Sequence, residues 1–167
     1  MTGVQTCALP ICTPRDLYRQ PQSRFVAAFI GETNFLPGRV ESVDSEFLVV
    51  ATPAGLLRAA RLDGAWEIGQ QIWCSIRPEA WRVEAKAESG NSANRMAAKL
   101  ESVMYLGESE QYQARLVAQQ NGGKIATESE EWRDIKIAVT NPGASAPRPG
   151  DAITLTCAPE DIVALRA

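Results

Sequence analysis

The sequence predicts a mainly β protein in which two small β-barrel units follow two short helices. Three observations predict it. Helix signals are confined to residues 13–31; beyond Gly31 the apolar pattern changes from a helical to an alternating period; and an ordered string of residues in the first half recurs in the second.

Thr13 and Pro14 form an N-cap and first-position pair, with Asp16 in the first turn, so Pro14 to Gln20 reads as a short helix stopped by Pro21. Ser23 caps a second helix whose Phe25, Ala28 and Phe29 share one face, and Gly31 fits the C′ position that often takes a left-handed backbone. Strands are then expected at Phe35 to Val43, Glu46 to Ala51, Leu56 to Ala60, Gln71 to Arg77 and Trp81 to Val83. Pro53-Ala54-Gly55 and Asp63-Gly64 supply turns between them. The polar, small-residue stretch from Glu84 to Asn94 reads as a linker. A second set of strands follows at Met96 to Tyr105, Gln111 to Ala118, Lys124 to Thr127, Ile135 to Val139 and Ala152 to Cys157. Asn121-Gly122-Gly123 is a hairpin signal there, and Asn141 to Pro149 a Pro-rich loop.

The two sets repeat each other. Gly69, Ile72, Cys74, Ile76, Pro78, Glu79 and Trp81 align at one fixed offset with Gly150, Ile153, Leu155, Cys157, Pro159, Glu160 and Ile162, and Val40-Glu41-Ser42-Val43 is echoed by Leu100-Glu101-Ser102-Val103. Paired short-strand units at this spacing are OB-like in strand number and connection length. Ile72, Cys74 and Ile76 alternate on one strand face, as do Ile153, Leu155 and Cys157. Both thiols are therefore expected as reduced core residues, with a disulfide between them as the alternative.

Composition excludes several chemistries. The chain has 167 residues, 45% hydrophobic and 22% charged, with 17 Lys+Arg against 20 Asp+Glu and no histidine. Without imidazole there is no Ser-His-Asp or Cys-His pair, and any metal site would use thiolates or carboxylates alone. A net charge of -3 with both signs interspersed argues against a nucleic-acid module. No apolar segment approaches the roughly 20 residues that span a bilayer.

Met1 to Ile11 reads as an artefact. There is no positive n-region and the apolar run is too short for a signal peptide, whereas the segment back-translates to a common sequencing adapter read in frame from a GTG start. The adapter's last base would convert a native GGC glycine codon into the codon of Cys12. Residues 1–12 are thus expected to be adapter-derived.

Thr13-Pro14-Arg15-Asp16-Leu17-Tyr18-Arg19-Gln20-Pro21 and Phe25 to Phe35, read as Phe-Val-Ala-Ala-Phe-Ile-Gly-Glu-Thr-Asn-Phe, resemble the segment that closes the nucleotide-binding domain of ABC importer ATPases. Arg77-Pro78-Glu79 resembles that family's Arg-Pro-Glu hallmark, and Tyr105-Leu106-Gly107, Gln111-Tyr112 and Pro159-Glu160-Asp161 resemble the second half of its C-terminal TOBE region. The Glu32-Thr33-Asn34-Phe35 wording is similar to the spermidine/putrescine branch, although ferric iron and sugar importers share the architecture. The resemblance implies residues 13–31 as the end of a truncated ATP-binding domain, 32–84 as the first OB-like half of a TOBE region, 85–95 as linker and 96–167 as the second half. It further implies a partner in a second copy of the subunit, membrane permease subunits reached through the missing domain, and a place on the inner face of the bacterial plasma membrane. ATP and magnesium would belong to the parent protein. The Gly-rich phosphate loop, magnesium-binding acid, signature loop and switch histidine are absent from this sequence, so no catalytic, cofactor-binding or metal-binding residue is expected in it.

The candidate motif is Arg77, Pro78 and Glu79 with its echo Pro159 and Glu160. It reads either as an interface with another subunit or as a strand-ending turn, since the second copy keeps Pro and Glu but not Arg. Trp66, Trp73, Trp81 and Trp132 read as packing rather than base-stacking residues, with Trp73 facing away from the core. Glu128-Ser129-Glu130-Glu131 reads as a solvated hairpin tip, with a cation or polyamine site as the alternative. Three functions follow: the regulatory and dimerisation module of a transport ATPase, a sensor of small ligands or oxyanions, and an OB-type nucleic-acid binder, the last disfavoured by charge.

Overall fold

A computed structural model describes residues 13–61, 65–84, 94–119, 130–142 and 146–167. The adapter-like segment, the Asp63-Gly64 turn, the strand expected over Lys124 to Thr127 with its Asn121-Gly122-Gly123 hairpin, residues 85–93 of the linker, and Glu128 and Ser129 lie outside the described residues.

Helix α1 covers Pro14–Arg19 and opens on the expected capping box. The Thr13 hydroxyl accepts from the Asp16 N–H, and the Asp16 carboxylate accepts from the Thr13 N–H in return. Helix α2, Arg24–Ile30, is capped by the Ser23 hydroxyl accepting from Val26 N–H. Its end departs from expectation. Gly31 has an extended backbone, φ 178°, so no left-handed cap forms there. A Cβ at this position would sit 3.1 Å from the Tyr18 ring, and that close approach of α1 favours glycine.

Among the described residues ten strands follow: β1 Asn34–Val43, β2 Phe47–Thr52, β3 Gly55–Ala60, β4 Gln71–Ile76, β5 Arg82–Glu84, β6 Asn94–Tyr105, β7 Ser109–Leu116, β8 Asp134–Thr140, β9 Ala152–Cys157 and β10 Ile162–Arg166. They form two antiparallel five-stranded sheets, ordered β10-β4-β1-β2-β3 and β5-β9-β6-β7-β8. In the first, β10 also lies against β3, so the sheet curls toward closure. The fold is mainly β, as expected from the sequence, with two OB-like units.

The repeat is visible in detail. β1 and β6 each carry a bulge at the same relative place, between Val40 and Ser42 and between Leu100 and Ser102. Leu36 and Val40 point inward from β1 as Met96 and Leu100 do from β6. After β4 and β9 the chain makes matching 3-10 turns at Pro78–Ala80 and Pro159–Asp161.

The strand that closes each repeat crosses over. β5, from the first half of the sequence, pairs with β9, and β10, from the second, pairs with β4. The two sheets therefore exchange their final strands. One continuous apolar core joins them, running from Leu36, Leu48, Ile72 and Ile76 to Met96, Leu100, Ile137 and Leu155.

Two buried asparagines complete the exchange. Asn34, at the start of β1, uses its side-chain amide as a substitute backbone unit: its Oδ1 accepts from Lys136 N–H at 2.8 Å and its Nδ2 donates to Lys136 O at 2.8 Å on β8. Asn94, at the start of β6, does the same to β3, accepting from Arg58 N–H at 2.6 Å and donating to Arg58 O at 2.9 Å. Each side chain thus satisfies the outward backbone groups of the last strand in the opposite sheet, β3 or β8.

Cys74 and Cys157 are free and buried, in the core positions that the strand alternation predicts. Burial pushes both thiols from an ordinary 9.0 up to about 12. Between pH 9 and 12 the unfolded chain loses these protons while the folded chain keeps them, so stability falls as pH rises through that window. In a chain with Cys7 and Cys12 replaced by serine, a thiol-reactive disulfide reagent at pH 8 is expected to label neither Cys74 nor Cys157 without denaturant and both after unfolding; rapid native labelling would contradict the core assignment.

Candidate functional site

Arg77 is the centre of a densely connected polar cluster among the described residues. It leaves the end of β4 and enters the 3-10 turn at Pro78, whose missing N–H needs no ladder partner. Its Nη1 donates to the carbonyls of Ala27, Gly31 and Glu32 at 3.0, 2.9 and 3.0 Å, and its Nη2 to Tyr18 O at 3.2 Å. The guanidinium lies 4.2 Å from the centroid of the Tyr18 ring. A cation is placed where the last carbonyls of α2 point outward, the end of a helix that favours positive charge.

Glu79, two residues on, accepts the hydroxyl hydrogen bond of Tyr18. The Tyr18 hydroxyl is held above its ordinary pKa, first by burial and then by that carboxylate, against the opposing charge of Arg77. Arg77 and Glu79 thus grip α1 from both ends of one tyrosine.

The second copy separates turn from grip. Ala158 occupies the place of Arg77 with nearly the same backbone, φ -77° and ψ 146° against -69° and 148°. Pro159 opens the same turn, while Glu160 is exposed. Asp161 beside it is held above the usual carboxylate range by burial and then by the Glu160 charge. The Pro turn therefore forms without an arginine. Arg77 stands only where α1 and α2 dock.

Glu32, Thr33 and Asn34 carry the connection from α2 to both sheets. Glu32 pairs with Lys136 on β8 and accepts from Gln111 Nε2 on β7 at 3.1 Å. The Thr33 and Ser75 hydroxyls are hydrogen-bonded at 2.8 Å, and Asn34 reaches Lys136 as described. Behind them, Ala27 of α2 packs on the outer face of the first sheet with Phe35, Trp73, Val163 and Leu165. Arg24 caps that layer, 4.1 Å from the Trp73 ring centroid and 5.0 Å from that of Phe35. Trp73 faces away from the barrel core, and Trp81 and Trp132 are core residues.

A cleft of about 760 Å³ opens between α2 with β1 and β4 on one side and β8 with the 3-10 turn Glu131–Arg133 on the other. Arg24, Glu32, Glu131, Trp132, Asp134 and Lys136 line it. Of the acidic run, Glu130 is paired with Arg115 and Arg133. Among the described residues no three acidic or thiol side chains are grouped to hold a metal, and no helix is long and apolar enough to cross a membrane.

The sequence reading picked out Arg77, Pro78 and Glu79 but not their partner Tyr18, nor Glu32, Lys136 and the two asparagines. Asn34 and Asn94 stand at the spacing that also relates Val40 to Leu100, so the repeat itself was a usable signal for them.

No model of a known protein family matches the chain. It is 35% identical over 147 residues to a spermidine/putrescine import ATP-binding protein of Rubrobacter xylanophilus, covering 87% of this chain and 34% of the relative. A protein of the same description from Pseudomonas fluorescens is 39% identical over 103 residues, covering 62% of this chain and 27% of the relative. The chain thus spans about a quarter to a third of the length of these relatives. Among solved structures, the cytoplasmic molybdate-binding protein ModG superposes with a TM-score of 0.62 at 11% identity, covering 80% of this chain and 96% of that one. At that identity the likeness is one of fold.

Proposed function

Because this chain belongs to the family of ABC importer ATP-binding subunits, we propose that it serves as the regulatory and dimerisation portion of such a subunit in polyamine uptake. The observation that supports this reading is the helix pair fastened to the first β unit by Arg77, with the large side chains of Phe25 and Phe29 stacked on its outer face and 76% and 80% exposed. A self-sufficient β module has no use for such an appendage. A subunit whose ATP-binding part leads into the β units does. The spermidine/putrescine relatives supply the substrate class, and a second copy of the subunit, membrane permease subunits and a cytoplasmic position against the membrane follow from the reading.

An oxyanion sensor is the competing use of a paired OB-like fold. The cleft disfavours it, because Glu32, Glu131 and Asp134 outnumber Arg24 and Lys136 along its walls and repel an anion. The test uses the purified chain and a hybrid subunit. The chain is expected to show no magnesium-dependent ATP hydrolysis, to leave molybdate unbound in calorimetry, and to sediment as a concentration-dependent dimer. The Rubrobacter xylanophilus subunit, with its matching segment replaced by residues 13–167, is expected to restore spermidine uptake to a strain lacking its own subunit. Hydrolysis by the isolated chain at stoichiometric ATP, tight molybdate binding, or a hybrid that assembles and fails to import would each count against the proposal.

A further inference from the structure

We propose that Arg77 is the positioning residue that makes the helix pair and the first β unit move as one body, so that the ATP-binding part of the subunit is mechanically coupled to the β units through this side chain; the coupling half of the proposal rests on the functional reading above. The molecule carries its own internal control. The strand-ending turn is built twice, once with Arg77 and once with Ala158, at the same backbone geometry. The arginine is therefore an addition to the turn, made only on the unit that carries helices.

What it adds is specific. One planar group reaches carbonyls from both helices and from the segment leading into β1, and stacks on Tyr18. All four acceptors are backbone atoms, so the grip fixes the path of the chain, not one mobile side chain. By contrast, the apolar contact of α2 with the sheet is small: Ala27 is its only fully buried residue. Close to the grip, Glu32 continues the connection to β7 and β8 through Gln111 and Lys136. A displacement of α2 must therefore either carry both sheets with it or break the Arg77 contacts.

Lysine cannot replace this group, because a single ammonium offers neither the planar fork nor the stacking face. Two measurements on R77Q and R77K test the proposal. In the purified chain, amide exchange across residues 14–30 is expected to accelerate about tenfold or more in R77Q, with β1 to β4 unchanged and R77K in between, as for loss of charge-assisted bonds. Protection equal to that of the parent chain, or full rescue by lysine, would overturn the assignment of Arg77 as the fastening. In the hybrid importer, R77Q is expected to keep ATP hydrolysis within about twofold while spermidine moved per ATP falls about tenfold, a coupling loss of ordinary size. An unchanged ratio, or hydrolysis and transport falling together, would overturn the coupling role. Failure of the unsubstituted hybrid refutes the functional reading instead, and the exchange measurement still decides whether Arg77 fastens the helices.

Discussion

A chain ending after Asp161 is expected not to fold, and the damage falls on the sheet built mainly from the other end of the sequence. The deleted strand β10 pairs along β4 from Ile162 opposite Ile76 to Arg166 opposite Ile72. Ile162, Val163 and Leu165 are all buried, and each contributes about 1.5–3 kcal/mol by leaving water. Ile162 belongs to the main core and Val163 and Leu165 to the layer under α2, so both faces of the first sheet are opened at once. The loss, about 6 kcal/mol before the ladder bonds are considered, is comparable to the whole net stability of a typical domain, roughly 5–15 kcal/mol. Urea titration followed by tryptophan fluorescence and circular dichroism provides the measurement. The shortened chain is expected to lack a cooperative transition, although all five strands of the second sheet remain in it. A cooperative transition near that of the parent chain would show that the strand exchange is dispensable.

The second large effect is expected at Asn94. Its replacement by alanine removes the acceptor for Arg58 N–H and the donor to Arg58 O and, at 3.3 Å, to Cys157 O. Asn94 is fully buried, so water does not readily replace the amide, and orphaned groups of this kind cost about 1–3 kcal/mol each. A destabilisation of about 3 kcal/mol is expected in chemical denaturation. Asn94→Asp should be at least as damaging, since it keeps an acceptor for Arg58 N–H but turns an anion toward two carbonyl oxygens. Asn34→Ala should cost nearly as much, because it abandons the corresponding groups of Lys136 and Ile76. A cost below about 1 kcal/mol at both sites would mean that the sheets do not depend on these amides.

β4 and β9 were legible because apolar residues alternate with polar or aromatic ones along them: Ile72, Cys74, Ile76 and Ile153, Leu155, Cys157 stand in the core at every second place. β10 escaped for the opposite reason. Covered by core on one side and by α2 on the other, its Ile-Val-Ala-Leu run has no polar face and follows a turn that looked like an ending. The linker expected to reach residue 95 gives way to β6 at Asn94, since an inward-facing asparagine reads as polar and therefore as loop until its backbone partners on β3 are seen. The Arg77 motif was visible as letters. Its work was not, because all four of its acceptors are main-chain carbonyls and leave no trace in the identity of Ala27, Gly31, Glu32 or Tyr18.

The reciprocal exchange of β5 and β10 also sets a schedule for biosynthesis. β1 to β4 leave the ribosome well before β10, and the outer edge of β4 stays unpaired until β10 is made. At ordinary synthesis rates that wait is on the order of ten seconds. For that interval the nascent chain presents an open strand edge beside the apolar face of Leu36, Ile72 and Ile76, the kind of surface that pairs with neighbouring chains. Neither unit can finish early, since β5 in turn waits for β9. Closure of both units is thus deferred until β10 is made and is expected to lean on chaperones that shield strand edges, so the yield of folded protein should respond to chaperone supply more than to codon choice within either half.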